Sequence, residues 1–151
     1  FAEASSFNSD LAHWNTSSVV DFRRMFYDAA SFNGDVSNWD TKSATDMSYM
    51  FGRASSFNGD LAHWNTSSVV NFRRMFYYAT SFNGDVSNWD TKSATDMSWM
   101  FRGGTSFDQN LCSWYDTLQN VTVVGMFDDT ACANTNDPDF NTQASFCAVC
   151  V

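Results

Sequence analysis

The sequence predicts an α/β repeat fold, a stack of about five 25-residue coils, each a short parallel strand plus a short helix or 3-10 turn. Three observations lead there. Residues 4–53 and 54–103 differ at only seven places: Ser9/Gly59, Asp21/Asn71, Asp28/Tyr78, Ala30/Thr80, Tyr49/Trp99, Gly52/Arg102 and Arg53/Gly103. Inside each 50-residue block lies a looser repeat of 25, which holds Phe7, Phe32, Phe57, Phe82 and Phe107 in step with Trp14, Trp39, Trp64, Trp89 and Trp114. Met-Phe pairs close the units at 25–26, 50–51, 75–76 and 100–101, and a fifth at 126–127 comes one residue late. A fixed period in this range marks a stacked architecture, because one such unit cannot bury its own apolar face.

Within one unit, "DLAHW" or "DVSNW" is too short for a helix and fits a brief strand. The "FNGD" before it supplies an Asn-Gly turn at 33–34, 58–59 and 83–84. Val19, Phe22, Met25, Phe26 and Ala29 follow spacings of three and four, the mark of one helical face. Ser17 or Ser18 can cap that short helix, with Asp21 in its first turn. Strands stacked about 4.8 Å apart make a stub roughly 25 Å tall from five coils. Each Phe, Trp and Met then sits on its own copy one coil away.

The composition fits such a core. Apolar residues make up 44% of the chain, with 15 Phe, 6 Trp and 7 Met, so large rings rather than branched aliphatics fill it. The net charge is −9, which repels nucleic acid and anionic membranes. The carboxylates are nearly all Asp and recur at turns, where a short side chain bonds its own backbone. The opening "FAEASSF" matches "FGRASSF" from Phe51, so the chain is expected to begin in mid-repeat, as a piece of something longer. Two regions are expected: repeats over 1–127 and a cysteine-containing cap over 128–151.

The pattern "SFNGDLAHWNTSSVVNFRRMF" resembles the repeat of bacterial surface proteins and lipoproteins related to the BspA-type leucine-rich repeats, with similar arrays in secreted proteins of single-celled algae. The resemblance covers about residues 1–127. Phe22 and Phe72 stand where that family often has Met, and "CANTNDPDFNTQASFCAVC" lies outside the repeat, similar to the cysteine-bearing tails of eukaryotic members. The resemblance implies a right-handed leucine-rich-repeat-like solenoid on an extracellular surface. It implies adhesion or protein binding and no catalytic activity.

All four cysteines, Cys112, Cys132, Cys147 and Cys150, lie in the last 40 residues. An even number at one end reads as two disulfides fastening a cap in an oxidising compartment; a zinc site is the sharper alternative. After Met126-Phe127 the next coil should begin with Phe at 133, but Ala133 stands there. A tail returning as a parallel strand over 140–151 would cover the open edge. It would favour Cys132–Cys147 and Cys112–Cys150 over the two other connectivities.

The Trp ladder reads as core rather than as a sugar platform. Asp10, Asp35, Asp60 and Asp85, continued by Asn110, read as turn caps rather than calcium ligands, since one carboxylate per coil is too few for calcium. The acceptor sequons Asn15-Thr16-Ser17, Asn65-Thr66-Ser67 and Asn120-Val121-Thr122 predict N-glycosylation in a eukaryotic source. His13 and His63, equivalent positions two coils apart, have no nucleophile motif around them, and no glycine-rich nucleotide pattern occurs.

The candidate binding surface is a row of His13, Asn38, His63 and Asn88, together with Arg23, Arg24, Arg73 and Arg74, which alternate with Ser48-Tyr49 and Ser98-Trp99. The expected function is a non-enzymatic extracellular or cell-surface module for protein binding, adhesion or display, without cofactor or metal. Its partners would be a protein or glycan, with neither nucleic acid nor membrane insertion, and its N-terminal face could associate end to end. The alternatives are a building block of a wall, scale or filament, and a carbohydrate-binding module using Tyr27, Tyr77, Tyr78 or Trp99.

Overall fold

Alternate backbone N–H groups decide this architecture. In a computed structural model describing residues 1–118, 120–140, 146–148 and 150, the N–H groups of Phe22, Arg24, Phe26 and Asp28 donate to the carbonyls of Asp46, Ser48, Met50 and Gly52, one coil on. The intervening Met25, Tyr27 and Ala29 donate three residues back along their own coil, to Phe22, Arg24 and Phe26. The same pattern recurs from 47–53 to 71–77, from 72–78 to 96–102 and from 97–103 to 122–128. Each coil is thus a run of tight turns locked to the next coil at every second residue.

This overturns the α/β solenoid of parallel strands and short helices, and with it the leucine-rich-repeat-like form. Among the described residues the one helical element is a 3-10 turn, Cys112–Trp114, and no strand forms. Parallel pairing shrinks to isolated bridges, Asp21 to Asp46, Asp46 to Asn71, Asn71 to Asp96 and Asp96 to Thr122. The physical reasons are local. An α-helix over 19–29 would turn its backbone N–H groups onto its own carbonyls, whereas those of Phe22, Arg24, Phe26 and Asp28 here go to the neighbouring coil. A four-residue turn reproduces the three-and-four apolar spacing that suggested a helix.

The expected strand at "DVSNW" closes instead as a turn, with Trp39 N–H donating to Val36. The Asp35 carboxylate takes the Ser37 N–H at 2.9 Å, and Asp10, Asp60 and Asp85 do the same to Ala12, Ala62 and Ser87. Those donors are diverted from any sheet ladder.

"FNGD" makes no turn at 33–34, 58–59 or 83–84. Its asparagines are rungs between coils: Asn8, Asn33, Asn58 and Asn83 accept the backbone N–H of Asn33, Asn58, Asn83 and Asp108 at 2.8–2.9 Å. Gly34 serves close approach, since a Cβ there would lie 2.8 Å from the Ser9 carbonyl oxygen.

The interior is three columns of rings. Phe7, Phe32, Phe57, Phe82 and Phe107 stack with centroids 5.8–6.1 Å apart. Phe26, Phe51, Phe76, Phe101 and Phe127 form a second column, each of its first four rings 3.9 Å from a ring of the first. Trp14, Trp39, Trp64 and Trp89 stack at 6.4 Å. The indole N–H groups of Trp39, Trp64 and Trp89 donate to Leu11, Val36 and Leu61 carbonyls, which removes the usual penalty of burying indole nitrogen.

At the far end Cys112 is bonded to Cys150 and Cys132 to Cys147. Leu111 N–H donates to the Phe146 carbonyl, and buried Phe146 packs edge-on to Tyr115 and Phe140. The tail therefore reaches the last coil, and no parallel bridge forms among its described residues. Cys147 pairs with Asn134 in an antiparallel bridge. Residues 141–145, 149 and 151 of that expected strand lie outside the described residues.

Turn runs carry a cost in left-handed backbone. Arg24, Tyr49, Arg74 and Trp99 have φ of 54–57°, and Asp28, Arg53 and Tyr78 have φ of 53–60°. The equivalent positions at the end of the stack are Gly103 and Gly125. A non-glycine residue in this region costs roughly 1–2 kcal/mol, partly offset by the greater freedom of an unfolded glycine. Arg53→Gly, the change already present at 103, is expected to raise stability by about 0.5–1 kcal/mol. A urea midpoint for Arg53→Gly at or below the parent's would contradict this.

Candidate functional site

The left-handed residues turn their side chains into one outward face, built from residues 21–30 of the first coil and their equivalents. On it Arg24, Tyr49, Arg74 and Trp99 form an alternating column. The Arg24 guanidinium lies 5.2 Å from the Tyr49 ring centre and 5.6 Å from Tyr27. Arg74 lies 5.3 Å from Tyr49, 5.2 Å from Tyr77 and 4.5 Å from Trp99, and Arg73 4.6 Å from Trp99. Tyr49 is thus flanked by guanidiniums from the coil before and the coil after. Each such contact contributes roughly 0.5–1 kcal/mol where exposed and more where water is excluded. Arg74 also donates from Nη1 to the Tyr49 hydroxyl.

Glycines seat the rings. A Cβ on Gly125 would meet Trp99 Cδ1 at 2.6 Å, one on Gly103 would meet Tyr78 Cδ1 at 2.7 Å, and one on Gly52 would meet Tyr27 Cδ2 at 3.1 Å. The 50-residue alternation of arginine and aromatic therefore has a physical account: each guanidinium needs a ring above or below it.

Among the described residues three of the six arginines are ion-paired. Arg23 grips Asp21 through Nε and Nη2 at 3.0 and 2.7 Å, Arg73 meets Asp96 at 3.5 Å and Arg102 meets Asp128 at 3.6 Å. These pairs are solvent-exposed and stabilise little. Arg24, Arg53 and Arg74 have no carboxylate partner among the described residues. A groove of about 630 Å³ is lined by Asp21, Arg23, Arg24, Ser48 and Tyr49. A second, of about 350 Å³, is lined by Arg53, Ser55, Tyr77, Tyr78 and Thr80.

His13, Asn38, His63 and Asn88 lie elsewhere on the coil, exposed at the third position of the turns Leu11–Trp14, Val36–Trp39, Leu61–Trp64 and Val86–Trp89. Among the described residues no hydrogen bond or ring contact joins that row to the arginine face. Asn15, Asn65 and Asn120 are exposed. The Asn15 and Asn65 side-chain oxygens each accept the N–H and hydroxyl of the serine two residues on.

Sequence reasoning grouped Arg23, Arg24, Arg73 and Arg74 but missed Arg53, Arg102 and the left-handed geometry. The available signal was Gly103 and Gly125 falling in the columns of Arg53 and Trp99.

The Asx turns govern the acid response. Hydrogen bonds from Arg23 hold Asp21 below the ordinary carboxylate range, those from Ser37 hold Asp35 below it, and the Ser87 backbone N–H does so for Asp85. A depressed folded pKa contributes stability above the unfolded value of 3.8, and that stability is lost as pH falls through the folded value. The thermal midpoint is expected to stay level from about pH 7 to 5 and drop below about pH 4. Asp35→Asn/Asp85→Asn, which keeps an acceptor oxygen at each site, should drop less steeply. An equal drop would show that these turns are not the titrating elements.

Among the described residues no helix is long and apolar enough to cross a membrane. No curated protein and no solved structure matches the chain. A family model does match, over residues 1–76 and again over 59–146, so that both passes together take in nearly all of the chain. The chain belongs to the family described as Mycoplasma protein of unknown function, DUF285.

Proposed function

We propose that the chain is a non-enzymatic module of an extracellular or cell-surface protein, binding a protein partner through the arginine and aromatic turn face. One observation carries this reading. All six arginines, in a chain of net charge −9, lie in residues 21–30 and their equivalents, as do six of the seven differences between the duplicated blocks. The core and the exposed His13, Asn38, His63 and Asn88 row are repeated unchanged. Divergence concentrated on one face fits a surface whose contacts differ from coil to coil. Arg, Tyr and Trp together are the residues that dominate protein-interface energetics.

The carbohydrate reading has less support. Sugar stacking needs open ring faces, and those of Tyr49 and Trp99 are taken by guanidiniums and by Gly125. Two disulfides favour an oxidising compartment. Asn15, Asn65 and Asn120, all exposed, would carry glycans in a eukaryotic secretory setting.

The test displays the chain on beads and measures attachment to a panel of immobilised extracellular proteins and glycans. Arg24→Glu/Arg74→Glu should abolish attachment to proteins, while His13→Ala/His63→Ala should not change it. Attachment that follows the histidine row, or only glycans, would overturn the reading.

A further inference from the structure

The turn face also indicates the chemistry of its partner, an inference that rests on the reading above. Every carboxylate needed to neutralise Arg23, Arg73 and Arg102 is already supplied by the chain. Arg24, Arg53 and Arg74 are left over, and they belong to three consecutive coils. The rings beside Arg24 and Arg74 restrict the two guanidinium planes, so less freedom is lost when a partner binds their edges. The chain itself shows the contact such an edge makes, in the two-pronged grip of Arg23 on Asp21.

The differences between the two blocks sharpen this. Asp21 and Asp28 of the first block become Asn71 and Tyr78 in the second, which removes two negative charges. Gly52/Arg102 adds a positive charge and Arg53/Gly103 removes one. The second half of the face is therefore two charges more positive than the first, while the edge bearing Asp10, Asp35, Asp60 and Asp85 is unchanged.

We propose that this face docks an acidic polypeptide segment, lying across the coils with carboxylates on Arg24, Arg53 and Arg74 and anchored towards Arg73 and Trp99. Ring faces covered by guanidiniums at Tyr49 and Trp99 argue against a sugar. Carboxylate groups spaced along an extended peptide match cations repeated coil by coil.

The probe is a fluorescein-labelled peptide of ten Glu and Asp residues, titrated with the intact, disulfide-bonded chain and read by anisotropy. Binding is expected, weakening at least about tenfold between 50 and 500 mM salt, as screening of exposed charges requires. Arg24→Gln/Arg74→Gln should lose about tenfold or more, whereas Lys42→Gln/Lys92→Gln, changing the two cations elsewhere, should bind as the parent does. Arg24→Lys/Arg74→Lys keeps the charge but not the planar fork, and it should still lose several-fold. It also decides the matter if the glutamine variant fails to fold. Absence of peptide binding, an equal loss in Lys42→Gln/Lys92→Gln, or preference for a sulfated oligosaccharide would each overturn the proposal. If bead attachment still depends on Arg24 and Arg74 while the peptide does not bind, the binding face stands and the acidic partner falls.

Discussion

Trp64→Ala is expected to destabilise the chain by about 3–5 kcal/mol, the range for deleting a buried aromatic ring. Trp64 is 4% exposed, lies between Trp39 and Trp89 at 6.4 Å from each, and donates its indole N–H to Val36. Removing it empties the middle of a column and leaves the Val36 carbonyl without that donor. Trp14→Ala makes the same change at a position 47% exposed, with Trp39 stacked on one side and the Phe1 ring tilted against it at 5.6 Å. Its cost should be less than half as large. Because each coil touches only its neighbours, a central gap interrupts cooperativity and an end gap shortens the stack. Chemical denaturation of the two variants decides this, and equal midpoints would mean that the Trp column does not bear on stability as its burial requires.

Breaking the disulfides should act at one end. Each is expected to contribute about 2–4 kcal/mol, chiefly by restricting the unfolded chain. The Cys132–Cys147 bond closes a separation of 15 residues and Cys112–Cys150 one of 38. With Cys132→Ser/Cys147→Ser, Phe146 should leave its site and the Leu111 N–H lose its acceptor. Hydrogen exchange should then quicken from about Phe107 onward, where the Ala131 N–H meets the Phe107 carbonyl. The amides of Phe22, Arg24 and Phe26, bonded coil to coil far from the cap, should keep their protection. Uniform loss along the chain would show that the cap holds the whole stack rather than its last coil.

Some of this was legible in the sequence because it follows from the period alone. The Phe, Trp and Met-Phe spacings fix which residues lie on their own copies. Ala133 stands where the period would put the next Phe of the column. The secondary structure was not legible, because two kinds of element share one signature. Apolar residues at 22, 25, 26 and 29 serve a helix face or a run of four-residue turns equally well. What separates them is the destination of alternate N–H groups, which depends on a neighbouring coil. "DVSNW" misled in a similar way: it is too short for a helix and fits a brief strand, but its Asp35 accepts the Ser37 N–H and closes a turn. Asn33-Gly34 reads as a turn from local propensity, and only stacking reveals the asparagine as a rung and the glycine as clearance.

The candidate surface was half visible. Arg23, Arg24, Arg73 and Arg74 announce themselves as pairs 50 residues apart. That Tyr49 lies between Arg24 and Arg74 needs the left-handed backbone at all three. Left-handed non-glycine residues are rare, so the glycines at 103 and 125 in those columns are the sequence's one faint signal for such a row.

The central claim is that the turn face, and not the aspartate edge or the histidine row, is where this chain meets its partner. The most direct measurement is a backbone-resolved NMR titration of the intact, disulfide-bonded chain with the Glu/Asp decapeptide. Saturating shifts are expected at Arg23, Arg24, Tyr49, Arg53, Arg73, Arg74 and Trp99, with Asp10, Asp35, His13 and His63 unmoved. Shifts confined to the aspartate edge or the histidine row, or no saturating shifts anywhere, would contradict the claim.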